Sequence, residues 1–340
     1  MTAPTFKTIF VTGGAGYVGC RLVPALLEKG YRVKILDLFI YGEEVLRDIR
    51  HHPNLKIIKG DIRDQDLLKK EIPECDAVIH LACISNDPSV ELNPDLSRTV
   101  NYEAFEPLVD ISKKNGVRRF IFASSGSVYG VSDSPEVTEE HPLVPVSLYN
   151  KYKAKCELVL QQYQSPQFTT VTIRPSTICG YSPRQRLDLT INILTNHAVN
   201  NGKITVFGGK QMRPNLHIQD MVDLYVKLLE YPDKLIAGQI FNVGYQNYTV
   251  ANAAKIVKKV VENAVPEIKN LEIITTPSDD IRSYHISSDK IKNVLKFIPQ
   301  FTVEDAIKEL IVAFKSGKLP DPMNSSHYYN IKRMKEVHLK

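Results

Sequence analysis

Short apolar runs alternate with stretches of helical period through the first half of the chain. Thr8-Ile9-Phe10-Val11, Val33-Lys34-Ile35-Leu36 and Leu55-Lys56-Ile57-Ile58 are the first three runs. Ala77-Val78-Ile79-His80-Leu81-Ala82, Phe120-Ile121-Phe122-Ala123 and Val171-Thr172-Ile173-Arg174 continue the series. Each has the length of a strand and few polar positions, as strands buried on both faces do. Between them, apolar residues recur at helical spacing from Cys20 to Lys29, from about Asp95 to Lys114 and from about Tyr149 to Gln162. Gly30 closes the first of these helices, and Pro24 inside it removes one hydrogen bond and should bend it. Strands separated by helices predict an α/β fold with a doubly wound parallel sheet. After Pro175 the alternation loosens: Pro183, Gly202, Gly208-Gly209 and Pro214 cut the chain into short pieces. Phe241-Asn242-Val243-Gly244 then reads as one more buried strand. We therefore expect a main domain over 1–175 with 216–244 returning to it, and a smaller substrate-binding C-terminal lobe from 176–215 and 245–340.

In such sheets ligands bind beyond the C-terminal strand ends, so the residues just past the runs carry the candidate chemistry. The first run enters Thr12-Gly13-Gly14-Ala15-Gly16-Tyr17-Val18-Gly19. Gly14, Gly16 and Gly19 satisfy G-x-G-x-x-G, and Gly13, Gly16 and Gly19 give a wider version of it. Either spacing brings backbone amides at a helix N-terminus close to a pyrophosphate. Eighteen residues beyond Gly19, Asp37 ends the second run, where a carboxylate accepts from adenosine ribose hydroxyls. Together these features predict a Rossmann-type dinucleotide site. Leu38-Phe39-Ile40-Tyr41 holds no Arg or Lys to meet a 2′-phosphate, so the expected cofactor is NAD and not NADP.

Past Ala123 comes Ser124-Ser125-Gly126-Ser127-Val128-Tyr129-Gly130, and Tyr149 and Lys153 lie four apart at the start of a helix. Residues at that spacing share a helix face. The ammonium then lowers the phenol's pKa, and the phenolate takes a proton from a hydroxyl that Ser125 holds from the other side. Tyr328 and Lys332 repeat the spacing without a serine-bearing strand end beside them. His80 reads as a structural strand-end residue, and Cys179 as a buried free thiol.

Composition narrows the partners. The chain has 340 residues, enough for a full domain and a smaller one, and 43% hydrophobic with 24% charged residues is ordinary for a globular protein. Its net charge of +5 suits a small anionic ligand, and no basic run interleaved with aromatics points to nucleic acid. No apolar run approaches the roughly 18 residues of a membrane span, and the first strand begins too early to leave room for a signal peptide. Cys20, Cys75, Cys83, Cys156 and Cys179 are scattered, with no C-x-x-C pair, so we expect reduced thiols in the cytoplasm and no bound metal.

Over nearly its whole length the chain resembles the extended short-chain dehydrogenase/reductases, in the NAD-dependent nucleotide-sugar epimerase/dehydratase group. The resemblance rests on the glycine turn, Asp37, Asp61-Ile62, His80-Leu81-Ala82, Asn101, Ser124-Ser125 with Val128-Tyr129-Gly130, Tyr149/Lys153, Arg174-Pro175 and Arg213-Pro214-Asn215-Leu216-His217-Ile218-Gln219-Asp220. It implies that Gly13, Gly16, Tyr17, Val18, Gly19 and Asp37 bind NAD, with Asp61 and Ile62 at the adenine. Leu81, Ala82, Asn101, Ser124, Tyr149 and Lys153 complete that cofactor set, Lys153 at the nicotinamide ribose. Arg213 and Arg282 would grip a substrate diphosphate, since guanidinium forks match phosphate oxygens. Ser85, Ser125, Tyr149, Arg186 and Asn192 complete the implied substrate set.

The resemblance also implies the first step, oxidation of C4 of a nucleotide-linked sugar by NAD. The group's 4,6-dehydratases carry an acid pair immediately after the catalytic Thr, where this chain has Gly126 and Ser127. The related decarboxylases and mannose-type dehydratases show a Glu there, which disfavours both reactions here. Epimerisation through a transient 4-keto sugar is the first reading. Ser182-Pro183-Arg184-x-Arg186-Leu187-Asp188-Leu189 with Asn192 is similar to a subgroup that includes GDP-heptose C4 oxidases, so net oxidation or reduction stays open. A non-catalytic NAD-binding protein would need no Ser125, Tyr149 and Lys153 together. The resemblance further implies carbohydrate biosynthesis as the setting and a homodimer through the helices at about 95–114 and 149–162.

Overall fold

The computed structural model describes residues 5–339 except 133, 135, 279–282 and 284. β1 (Thr8–Thr12) is buried at every position, as its unbroken apolar run requires for a strand covered on both faces. It leads through the glycine turn into α1 (Gly19–Glu28), which runs through Pro24 as one helix. β2 (Arg32–Asp37), β3 (Leu55–Lys59), α2 (Gln65–Glu71) and β4 (Ala77–His80) follow. The expected helix at 95–114 is instead three pieces after α3 (Asp87–Leu92). α4 (Pro94–Arg98) passes through a π-turn at Thr99–Glu103 into α5 (Phe105–Lys114). The wider turn directs the Asn101 carboxamide onto the backbone of Ile84, where it makes two hydrogen bonds of 2.8 and 2.9 Å.

β5 (Arg119–Ala123), α6 (Leu148–Tyr163), β6 (Thr169–Pro175) and β7 (Thr177–Cys179) come next. Then follow α7 (Thr190–Asn200), β8 (Lys203–Phe207), β9 (Met212–His217), α8 (Ile218–Glu230), α9 (Asp233–Ile236) and β10 (Gln239–Val243). β11 (Gln246–Thr249), α10 (Val250–Ala264), β12 (Glu272–Thr276), α11 (Asp289–Leu295), α12 (Val303–Lys315) and α13 (Asn330–Glu336) complete the chain.

Seven strands form one parallel sheet in the order β10-β6-β5-β4-β1-β2-β3. The order reverses between β1 and β4, and the crevice at their carboxyl ends is where a doubly wound sheet takes its ligand. Apolar side chains of α1 and α8 cover one face of the sheet, around Ile9, Ile35 and Leu224. Those of α2, α5 and α6 cover the other, around Phe10, Phe120 and Leu108. A third cluster joins α7, α10 and α12 to β8 and gives the C-terminal part its own core. Among the described residues no helix is long and apolar enough to cross a membrane.

Candidate active site

The switch in strand order is closed by packing that only glycines permit. At Gly13, with φ of +74°, a Cβ would stand 2.7 Å from the Ala82 nitrogen. At Gly19 it would stand 2.5 Å from the Gly13 carbonyl oxygen. Gly16 differs: its Cβ would meet only that carbonyl oxygen, at 3.1 Å. Gly13 and Gly19 thus let the turn fold, while the bare Gly16 keeps open the approach to the first turn of α1. Asp37 ties this turn to the end of β2, accepting from the Ala15 amide at 3.0 Å and the Phe39 amide at 2.8 Å. Burial raises its carboxyl above the ordinary value, against the pull of those amides and of Arg184.

A cavity of about 620 Å³ runs from this turn to the end of β5. That is a size suited to a cofactor and a small substrate. Tyr149 and Lys153 enter it from the first turns of α6, whose start is fixed by the Ser147 hydroxyl accepting from the Asn150 amide at 3.3 Å. Lys153 is buried, donates to the Ala123 carbonyl at 2.6 Å and lies 5.8 Å from the centre of the Tyr149 ring. Arg186, a second cation lining the cavity, lies within electrostatic reach of the same phenol. The Ser125 hydroxyl stands 2.7 Å from that of Ser127, which in turn donates to the Asn150 carboxamide.

Behind this loop Arg174 forms a forked ion pair with Glu157, both buried, with contacts of 2.6–3.2 Å. Ser124 donates to the same carboxylate, and Arg174 donates to the Tyr129 hydroxyl at 2.6 Å. His80 packs against Phe122 and bonds the Thr12 hydroxyl at 2.7 Å. Burial, then the charge of Lys153, push its pKa down to about 3, so the ring is neutral and structural.

Tyr17, Val18, Asp61, Ile62, Leu81, Ala82, Ser85, Ser124 and Arg213 all line the cavity with the residues above. Asn101 and Asn192 stand behind its wall. Asn101 holds the backbone of Ile84, whereas Asn192 donates to the Tyr17 hydroxyl at 3.1 Å and the Arg186 carbonyl at 2.8 Å. Arg282 lies outside the described residues. Cys179 is fully buried, and burial pushes its thiol well up. Sequence reasoning missed Arg184 as a neighbour of Asp37 and Asn330 as part of the cavity wall, because neither follows a strand of the main sheet. Arg184 Nε and Arg186 Nη2 are buried with no hydrogen-bond partner. Those two donors, the open cradle at Gly16 and the carboxylate of Asp37 fit a bound dinucleotide with a second oxygen-rich ligand beside it.

A glycine turn at the β1/β4 switch, an acidic residue ending β2 and a Ser/Tyr/Lys set at the end of β5 define an extended short-chain dehydrogenase/reductase that uses NAD. The chain belongs to the NAD-dependent epimerase/dehydratase family, whose profile matches residues 9–244. It is 28% identical over 324 residues to the dTDP-D-glucose 4,6-dehydratase of Mus musculus, covering 92% of this chain and 89% of that protein. To the UDP-glucose 4-epimerase of Streptococcus mutans it is 27% identical over 331 residues, covering 90% and 95%. The UDP-glucuronic acid 4-epimerase of Bacillus cereus, solved with UDP-glucuronic acid and NAD, superposes with a TM-score of 0.80 at 25% identity, covering 91% and 99%.

Proposed function

We propose that the protein is an NAD-dependent nucleotide-sugar 4-epimerase that works through a transient 4-keto sugar, with Ser125, Tyr149 and Lys153 as its catalytic residues. The observation that carries this reading is the Tyr149 phenol beside two cations, Lys153 and Arg186. Four carboxylates line the cavity among the described residues, and each has a partner. Asp37 holds two amides, Asp61 pairs with Arg63, Asp87 accepts from Ser147, and Asp188 pairs with Arg186. A dehydratase needs a further acid beside the sugar, and Gly126 and Ser127 supply none.

NAD, held by the Gly13–Gly19 turn, Asp37 and Lys153, would supply a reversible hydride acceptor for C4 of the sugar. The nearby cations favour the phenolate of Tyr149, which accepts the C4 hydroxyl proton and later gives it back. Ser125 holds the same oxygen throughout. Arg213 and Arg282 are assigned to the substrate diphosphate, and Arg186 Nη2 to an oxygen of the sugar. The Tyr149→Phe variant tests the base: turnover should vanish while NAD stays bound, and retained turnover would remove Tyr149 from the mechanism. We also assign the protein a homodimer through α5 and α6, where Leu158 is 59% exposed; light scattering of the purified protein decides this.

A further inference from the structure

The C-terminal helix crosses the adenosine end of the NAD site, and its bonds reach both walls of that site. Asn330, the first residue of α13, is buried at 3% exposure although it is polar. Its carboxamide oxygen accepts from the Tyr41 hydroxyl at 2.9 Å and from Arg184 Nη2 at 2.5 Å. Its amide nitrogen donates to the Ser85 hydroxyl at 2.9 Å, and its backbone N–H to Asp188 at 3.2 Å. Tyr41 lies beyond β2 and Ser85 beyond β4, so one side chain joins the segments that follow the two neighbours of β1. One turn on, Arg333 donates to the Ile40 carbonyl, and Met334 is buried in the same apolar cluster as Ile62, Ile84 and Val100. Met334 and Leu339 both line the cavity.

Arg184 completes this cover from the second lobe. Its guanidinium lies 3.5 Å from the centre of the Tyr41 ring, its charge acts on Asp37, and its Nε is buried with no partner. Arg184 and Asp37 line the same cavity, so this unpartnered donor is available to an oxygen of the dinucleotide. We propose that α13 and Arg184 form a clasp over the adenosine half of NAD, with Arg184 as a direct cofactor ligand, and that the clasp slows release of the dinucleotide. For the dinucleotide to leave, α13 must part from Tyr41, Ser85 and Ile40 together and expose Met334 to water. The inference rests on the NAD site alone and stands whichever sugar reaction follows.

The test uses the full chain as purified, with NADH loaded into the site. Release is followed by the loss of NADH fluorescence when lactate dehydrogenase and pyruvate consume whatever dissociates. We expect Arg184→Ala, and the double variant Arg333→Ala/Met334→Ala, to release NADH at least about 10-fold faster than the parent. Asn330→Ala should release it faster still; if that variant fails to fold, the other two decide the question, with folding checked by circular dichroism. Equal release rates in parent and folded variants would overturn the proposal. Hydrogen exchange gives an independent reading: added NAD should slow amide exchange across 330–339, and unchanged exchange there would contradict the clasp. Release is also measured in the Tyr149→Phe background, so a failed clasp and a failed epimerase reading give different results.

Discussion

Replacing Glu157 with Ala removes the carboxylate that holds Arg174 and Ser124 behind the Ser125–Gly130 loop. Both members of the pair are buried, with side-chain exposures of 4% for Arg174 and 2% for Glu157, so water cannot take over the lost contacts. Breaking a buried pair by removing one partner costs about 3–5 kcal/mol, because a charge stays behind in a dry site. An unfolding entropy of roughly 2.1 cal/mol/K per residue gives about 0.7 kcal/mol/K for the 340 residues. The expected fall in Tm is therefore about 4–7 °C. Glu157→Gln keeps the shape and part of the hydrogen bonding, and should fall less. Replacing both partners with Leu should restore much of the loss, since no charge is then stranded. Thermal unfolding followed by circular dichroism reads all three variants. A drop below about 1 °C in Glu157→Ala would mean that Arg174 finds another partner, and would refute the reasoning from burial. Activity should fall as well, because Ser124 would lose its acceptor next to Ser125.

Three further outcomes follow from the cofactor site. Gly16→Val should purify folded but nearly free of NAD, whereas Gly19→Val should fold poorly, since only at Gly19 does a Cβ strike backbone at 2.5 Å; mass analysis of bound nucleotide separates the two. Asp37→Ala should weaken NAD by roughly 1–3 kcal/mol, the scale of lost hydrogen bonds to a charged group, and unchanged affinity by titration calorimetry would remove Asp37 from the ribose site. The raised pKa of Asp37 gives a sign for pH. If Asp37 holds the ribose, its carboxylate is the accepting form, so NAD affinity should decline on acidification at a pH above the ordinary carboxylate range. A decline confined to lower pH would show that another group is responsible.

The main sheet was legible because central parallel strands buried on both faces are apolar without alternation, as in β1, β4 and most of β5. The edge strand β3 breaks that pattern with Lys56 and Lys59 exposed, and was readable from its length and its place in the series. The glycine turn was legible because its packing tolerates no side chain at Gly13 or Gly19. The π-turn at Thr99–Glu103 was not: its residues keep helical periodicity, and only tertiary contact with Ile84 distinguishes it from an unbroken helix. Arg184 escaped for a different reason. Leu38-Phe39-Ile40-Tyr41 holds no cation, and the fold brings the charge that acts on Asp37 from 147 positions away. Asn330 gave no signal at all, because a polar residue at the start of a C-terminal helix reads as solvated until the fold buries it. The parts of the site carried by one βα unit were therefore readable, while those that depend on the second lobe folding back were not.

In the proposed function, Tyr149, Lys153 and Ser125 run a reversible oxidation that ends at an epimer. The purified protein, with NAD bound, is mixed with a panel of nucleotide sugars. Products are identified by mass and chromatography while nicotinamide absorbance is recorded. A 4-epimerase yields an isomer of unchanged mass and no lasting NADH signal. Stable NADH with a released keto sugar, or a product lighter by one water, would contradict the proposed function.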